Sequence, residues 1–254
     1  MIPFIMLIAV AVFAAWFFSG QGKNKVGNIP VAINTCLLDQ HVLFYTKLDT
    51  EEKKQFENDV KGFLAEVKIT GVDTSVEELD KHLIAAAAII PIFYFRQWKY
   101  HNLREVLLYS DAINMNFKST GSADRNILGM VGTGSYEGMM LLSKQSLRQG
   151  FDNRTDKQNT AIHEFVHLVD KSDGDTDGIP NVLLDKQYVL PWINMIQEQM
   201  QQIAKGRSDI NPYATMNKGE FLAVVAEYFF ERPALLKEKH PELYGMLKEM
   251  FDTA

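Results

Sequence analysis

The sequence predicts an α+β fold, in which a mostly helical domain with a small sheet follows one N-terminal transmembrane helix. Three observations predict this fold. Helix-start signatures precede stretches that carry an apolar stripe at helical spacing. Short apolar runs bounded by polar or glycine residues fit buried strands. The chain also begins with an uncharged apolar run. We therefore expect a membrane anchor over residues 1–19, a connector over 20–47 and a domain over 48–254.

The apolar run covers residues 2–18 and is just long enough, at ~1.5 Å per residue, to cross a thin hydrocarbon core. A cleaved signal peptide is the alternative, but it would place a basic residue ahead of the apolar part and a small-x-small site after it. Here Lys23 and Lys25 follow the run. By the positive-inside rule, the sequence predicts a single-pass protein of the inner (cytoplasmic) membrane, with its domain in the cytoplasm.

Composition narrows the function classes. The chain has 254 residues, of which 46% are hydrophobic, so it can bury one substantial core. Its net charge is −6 and lysine and arginine occur without a large cluster, which gives no footprint for nucleic acid. The single cysteine, Cys36, excludes an intrachain disulfide. Any protein-bound metal must therefore use histidine, aspartate or glutamate.

Two helix starts stand in the first half of the predicted domain. Asp49 and Glu52 are in capping-box register and open a helix with an apolar stripe that ends at Val67. Residues 75–78 repeat the signature and predict a second helix, which Pro91 ends. Because its four consecutive alanines at 85–88 permit close helix approach, we expect that helix to lie in the core.

Two short apolar runs, at residues 106–109 and 139–142, predict buried strands of the small sheet. Between them lies a glycine-rich stretch at residues 129–138. A phosphate-binding loop would need a lysine and a helix N-terminus in the right register, and these are missing. We interpret the stretch as a flexible or strand-edge loop that lines the substrate cleft.

One motif dictates a particular chemistry. His163 and His167 are four residues apart, so on a helix both imidazoles can face one point. Glu164 is placed to accept a proton from a water on a metal held there, without binding the metal itself. Chance occurrence of H-E-x-x-H in a surface helix is the alternative. The apolar stripe opposite, which includes Phe165 and Val169, favours a packed helix and hence a zinc site.

The third protein ligand has several candidates. Asp173 stands six residues after His167, the offset of the third ligand in H-E-x-x-H-x-x-G-x-x-H, but Asp170 occupies the position of the turning glycine. Asp170 itself suits the role of a carboxylate that orients an imidazole N–H. We favour Glu220 over Asp173 and over Glu227, which lies seven residues later on the same face of an apolar helix, since a buried carboxylate needs a cation or hydrogen-bond donors.

An alternative role for Glu220 is local. Asn217 and Glu220 are in capping-box register, so the glutamate side chain could satisfy the first turn of its own helix. The sequence alone leaves this alternative open.

Several stretches carry a family resemblance. They are the segment H-E-F-V-H-L-V-D at residues 163–170, residues 177–180, Trp192, Tyr213 with Ala214, and residues 220–230. Together they resemble the Mlc titration factor A family of zinc peptidases. The resemblance implies a zincin-like metallopeptidase domain with a gluzincin-type site, in which His163, His167 and Glu220 bind Zn²⁺. It also implies Glu164 as general base and Tyr213 near the oxyanion.

The resemblance implies aminopeptidase-like activity on peptide or protein substrates. The founding member of that family binds the transcriptional repressor Mlc, so the resemblance also raises a regulatory protein as a partner. Two function classes are therefore expected. The first is a membrane-anchored zinc peptidase. The second is a non-catalytic, zinc-containing binding protein whose cleft sequesters a regulatory partner such as a transcriptional regulator. An intact Glu164 favours the enzyme, because a structural zinc has no use for a general base.

Overall fold

The computed structural model describes residues 32–95, 98–111, 129–132, 137–153 and 155–252. The predicted anchor and the first part of the predicted connector lie outside the described residues. Within the described part of the chain, no helix combines the length and the apolar character that crossing a membrane requires.

The described residues are mostly helical and confirm the predicted α+β class. The helices are α1 (Thr35–His41), α2 (Leu43–Thr46), α3 (Thr50–Glu66), α4 (Glu78–Ile89), α5 (Lys144–Asp152), α6 (Thr160–Asp170), α7 (Lys186–Ala204), α8 (Lys218–Glu231), α9 (Pro233–Lys239) and α10 (Pro241–Phe251). Three 3₁₀ turns, Ile90–Ile92, Lys171–Asp173 and Pro212–Thr215, join some of them. From Ile33 onward the chain forms one unit, so α1 and α2, which lie in the predicted connector, belong to it and bury Leu38 and Tyr45.

Capping chemistry explains where the early helices begin. The Asp49 side chain accepts from the backbone of Glu52 while the Glu52 side chain accepts from Asp49, which confirms the predicted capping box of α3. The predicted start of α4 at residues 75–78 was early. Its capping box uses Glu77 and Asp80 instead, so the helix begins at Glu78.

The sheet is small and mixed, with strand order β1-β2-β4-β3. Its strands are β1 (Lys68–Val72), β2 (Glu105–Tyr109), β3 (Gly129–Val131) and β4 (Met139–Ser143). β1 and β4 run parallel to β2, whereas β3 pairs antiparallel with β4. The two apolar runs are β2 and β4, as predicted. β1 was missed because its sequence K-I-T-G-V is only half buried and carries no continuous apolar signal.

The core gathers around α4, whose alanines at 85–88 are fully buried as predicted. α4 packs against α3, α5 and α6, and α6 packs in turn against α8 and β3. Phe165 of α6 meets the rings of Phe63 and Tyr100 edge-on on the core side. This packing holds α6 between the core and the partly exposed groove in which its histidines lie.

One glycine sets the approach of α8 to the loop after α6. Gly178 has a φ of +75°, and a Cβ there would lie 2.3 Å from the carbonyl oxygen of Lys218. Its N–H donates to Asp170 and its carbonyl accepts from Trp192, so both sides of the loop are anchored. The result is a close contact between the end of α6 and the beginning of α8, which brings Glu220 toward the histidines.

Candidate metal centre

The predicted H-E-x-x-H motif lies on α6. Asn159 caps the helix by accepting a hydrogen bond from the backbone N–H of Ile162. Ile162, Phe165 and Val169 are buried, as the predicted stripe requires. The opposite face is less exposed than its polar sequence suggests, since Glu164 is 6% exposed. β3 and α8 cover that face.

The position of the Glu220 side chain distinguishes between the two roles that the sequence left open, which are helix capping and metal binding. The Asn217 side chain accepts from the backbone N–H of Glu220 at 2.9 Å, so Asn217 does cap α8. The Glu220 carboxylate does not complete a capping box. Its Oε2 lies 3.0 Å from Nε2 of His163 and 3.4 Å from Nε2 of His167.

The three side chains His163, His167 and Glu220 form a group that could hold a metal ion, with donor atoms all within 4.8 Å of one another. The two Nε2 atoms are 3.1 Å apart. Donor atoms bound tetrahedrally at ~2.0–2.1 Å, the usual Zn²⁺ bond lengths, are separated by about 3.3 Å. The three observed separations bracket this value, so the donor set fits an ion of that size.

The charges around these atoms favour a cation. Burial lowers the pKa of His163, but hydrogen bonds to Glu220 and Glu227 outweigh it and raise the pKa to about 10. Burial raises the pKa of Glu220, but its contacts with His163 and His167 outweigh burial and hold the pKa well below its usual range. A cation between the imidazoles and the carboxylate is thus strongly stabilised, and a bound metal would take the place of that proton.

Glu227 orients the first histidine. Its Oε1 accepts from Nδ1 of His163 at 2.7 Å, and its Oε2 accepts from the backbone N–H of Asn159 at 2.6 Å. With Nδ1 occupied as a donor, the Nε2 lone pair of His163 is left to face the other donor atoms. The sequence placed Glu227 among rival ligands and gave no sign of Asn159. Glu227 is 64 residues from His163 and 68 residues from Asn159 along the chain.

Glu164 lies in the same cavity as the three candidate ligands. A Cβ on Gly129 would come within 2.9 Å of its Oε1, so β3 passes directly over the carboxylate and needs glycine there. Burial raises the pKa of Glu164, while the charges of His163 and His167 oppose the rise. A raised pKa makes the carboxylate a stronger base, as a group that accepts a proton from water requires.

Tyr213 also lines this cavity, from the 3₁₀ turn Pro212–Thr215 ahead of α8. Its ring centroid is 6.2 Å from that of His163, and the residue is 46% exposed. Burial raises the pKa of its hydroxyl, and the negative charges of Glu220 and Glu164 add to the rise. The hydroxyl therefore stays protonated at neutral pH and can donate a hydrogen bond.

The two aspartates considered for this centre lie elsewhere. Asp173 is exposed, and its carboxylate accepts from the Asn181 side chain and from the backbone N–H of Asp175. Asp170 is buried, but its Oδ2 accepts from Gly178 N–H at 2.9 Å instead of orienting an imidazole. Burial raises the pKa of Asp170 to about 6, against the effect of that N–H.

A helix that carries H-E-x-x-H, with a glutamate from a second helix completing the donor set, is the arrangement of a metallopeptidase. The particular family follows from comparison with family models. The chain belongs to the family described as glucose-regulated metallo-peptidase M90, whose model matches residues 23–252.

Curated relatives lie at low identity. The chain is 26% identical to an uncharacterized protein of Synechocystis over 227 residues, which cover 85% of this chain and 82% of that protein. It is 26% identical to Mlc titration factor A of Escherichia fergusonii, over 78% of this chain and 77% of that protein. With Mlc titration factor A of Pectobacterium atrosepticum the identity is 28%, over 49% of this chain and 51% of that protein.

Proposed function

We propose that this chain is a zinc-dependent peptidase in which His163, His167 and Glu220 bind Zn²⁺ and Glu164 serves as general base. The observation that carries the proposal is the position of Glu164. It shares the cavity with the three-residue donor group, yet it is not part of that group. A metal site used only for structure would not need a buried carboxylate beside it.

A zinc ion bound there would acidify a water and polarise the substrate carbonyl. Residues of this chain would transfer the proton, donate a hydrogen bond to the oxyanion and orient His163. Glu164 takes the proton of the attacking water and passes it to the leaving amine. Tyr213, protonated at neutral pH, donates to the oxygen on which negative charge develops. Glu227 and Asn159 keep His163 in one orientation throughout.

The neighbouring strand supports a peptide as substrate. β3 is the outer strand of the described sheet, and Gly129 at its start lies against Glu164. An extended peptide could add to such an edge through main-chain hydrogen bonds, which would hold its carbonyl groups beside the carboxylate. Aminopeptidase-like cleavage is our narrower proposal, based on the resemblance to the Mlc titration factor A family.

The second candidate function is a non-catalytic binding protein that sequesters a regulatory partner. The observation that favours it is that several relatives are named Mlc titration factor A. In that case the metal would be structural and the cleft would hold a protein surface.

Hydrolysis measured with and without a chelator separates the two functions. We expect the metal-loaded full chain to cleave peptides or amino-acid p-nitroanilides, and a chelator to abolish cleavage until Zn²⁺ is restored. Glu164→Gln should keep metal content near that of the wild type while reducing kcat by about 10²- to 10⁴-fold, the range of a general base. Undiminished cleavage by the variant would overturn the mechanism. Zinc content without cleavage of any peptide would favour the binding protein.

Membrane attachment is a separate proposal, motivated by the apolar run at residues 2–18 and the lysines after it. The full-length protein should sediment with membranes, and its domain should resist protease added to intact spheroplasts but not to inverted vesicles. Digestion in spheroplasts would place the domain outside. Recovery of the full-length protein in the supernatant would contradict the proposed membrane anchor.

A further inference from the structure

A second cavity adjoins the metal cavity along the C-terminal half of α6. The two cavities share Val131, at the end of β3, and Lys171, the residue that follows α6. The second cavity also includes Asn102, Arg104 and Glu137. The cleft therefore continues from the metal centre past Lys171.

Lys171 is a partly buried lysine without an acidic partner among the described residues. The other partly buried lysines of the described chain each pair with a carboxylate. Lys53 pairs with Asp39, Lys144 with Glu77 and Asp80, and Lys157 with Asp209. Because removing an ammonium group from water is costly unless an anion compensates it, the exception suggests that the anion comes from a ligand.

Arg104 adds a second positive charge to this cavity. Its guanidinium donates to the backbone carbonyl of Glu137 at 2.7 Å, and it packs over Gly138, where a Cβ would lie 2.7 Å from Nε. A carbonyl oxygen fixes the guanidinium without neutralising it. The Glu137 carboxylate, which is exposed, is the opposing charge in the lining, so the two cations outnumber it.

Asn102 supplies an unused acceptor. Its Nδ2 donates to the carbonyl of Leu168 on α6 at 2.9 Å, while its Oδ1 is buried and has no hydrogen-bond partner in the described structure. A buried acceptor of this kind is normally paired. Because this atom is buried, Asn102 fixes the cavity wall to α6 through Leu168, and the positive charges of the lining come from Lys171 and Arg104.

We infer that this second cavity is a substrate subsite in which Lys171 and Arg104 bind a carboxylate of the peptide, either an acidic side chain or the chain terminus. The inference rests on the proposed peptidase function. Lys171 lies four positions after His167, which is about 6 Å along the axis of a helix. An extended peptide covers that length in about two residues. The carboxylate therefore belongs about two residues from the cleaved bond.

Matched peptides test the subsite on the metal-loaded full chain. One series places Glu, Gln or Lys at each of three positions on either side of the cleaved bond, and a second compares free C-terminal acids with amides. We expect a Glu or free-acid peptide to exceed its neutral counterpart about tenfold in kcat/KM at one position, mainly through KM, as one charged hydrogen bond allows. The series that shows the preference identifies the source of the carboxylate.

Lys171→Ala should reduce this preference to less than about twofold and leave metal content near the wild-type level. Lys171→Glu should turn the preference toward the Lys peptides. Lys205→Ala, which removes an exposed lysine at the end of α7, is the matched control and should keep the wild-type preference.

Binding separates failure of this inference from failure of the peptidase proposal. Fluorescence anisotropy with the Glu164→Gln protein measures affinity for the same peptides without hydrolysis. If Glu or free-acid peptides are cleaved no faster than their neutral counterparts, and Lys171→Ala changes nothing, the subsite is overturned but the peptidase proposal is not. Tighter binding of Glu peptides, lost when Lys171→Ala is added, supports the subsite even if no peptide is cleaved. Equal binding of all peptides overturns it.

Discussion

Two clusters in this molecule are built around a carboxylate whose pKa lies below its usual range, and they differ in their cations. In the metal centre, Glu220 faces His163 and His167. In what we call the Asp209 cluster, Asp209 binds side chains of four other residues, which are Lys157, Tyr228, Lys239 and His240. For both carboxyl groups burial raises the pKa, and hydrogen-bond donors outweigh it.

In the Asp209 cluster, the positive charges that face the carboxylate are supplied by side chains of the protein. Its two lysines lie 2.8 Å and 3.0 Å from Oδ2, and they carry their charge as part of the chain. Among the described residues, the basic partners of Glu220 are His163 and His167, so the positive charge beside it is a proton on an imidazole or an ion between the three side chains. A carboxylate therefore forms a structural contact where its cations are covalently part of the chain, and a candidate metal site where the cation can exchange.

Removing the carboxylate from the metal centre should have the largest effect on metal binding. We expect Glu220→Ala to lower affinity for Zn²⁺ more than the roughly 10–100-fold loss that follows removal of an outer partner, because a direct ligand is lost. Asp173→Ala is the matched control, since Asp173 is an exposed aspartate bonded to Asn181 and Asp175. Metal analysis after dialysis against a zinc buffer measures both. Loss of metal in Asp173→Ala with retention in Glu220→Ala would reverse the assignment.

The orienting carboxylate should have a smaller effect. Glu227→Gln should weaken Zn²⁺ binding by about 10–100-fold, because the charge that polarises the His163 imidazole through Nδ1 is removed. Glu231→Gln is the control one turn further along α8, since Glu231 contacts Asn159 but not the histidine. Competition with a chromophoric chelator gives the two affinities. Equal values for wild type and Glu227→Gln would mean that the 2.7 Å contact does not support the ligand.

The Asp209 cluster should affect stability alone. Asp209→Asn should lower the free energy of unfolding by about 2 kcal/mol at pH 7 through loss of charged hydrogen bonds, and leave zinc affinity unchanged. Since the folded pKa is depressed, the contribution is present above the ordinary value of 3.8 and is lost as pH falls through the folded pKa. Urea unfolding at pH 7 and below pH 4 should therefore show a difference between wild type and variant that shrinks in acid. A difference in unfolding free energy that does not change with pH would show that the stabilisation does not depend on ionisation of Asp209.

Much of the α6 half of the centre could be predicted from the sequence. The four-residue spacing of His163 and His167 fixes their common face through helix geometry, and Glu164 follows from the motif. Local signals also gave the capping box at Asp49 and the buried alanines of α4, both confirmed. These features depend on residues within a turn or two of each other, which is why a single sequence carries them.

Only the tertiary structure decided how the other parts reach that face. The sequence could not choose between capping and metal binding for Glu220, because both use the same position on α8, and the answer depends on how Gly178 lets α8 approach the loop after α6. It gave Glu227 no orienting role and passed over Lys171 altogether. Those roles depend on packing between segments that are distant along the chain. No local periodicity or spacing predicts which helix face lies against which cavity.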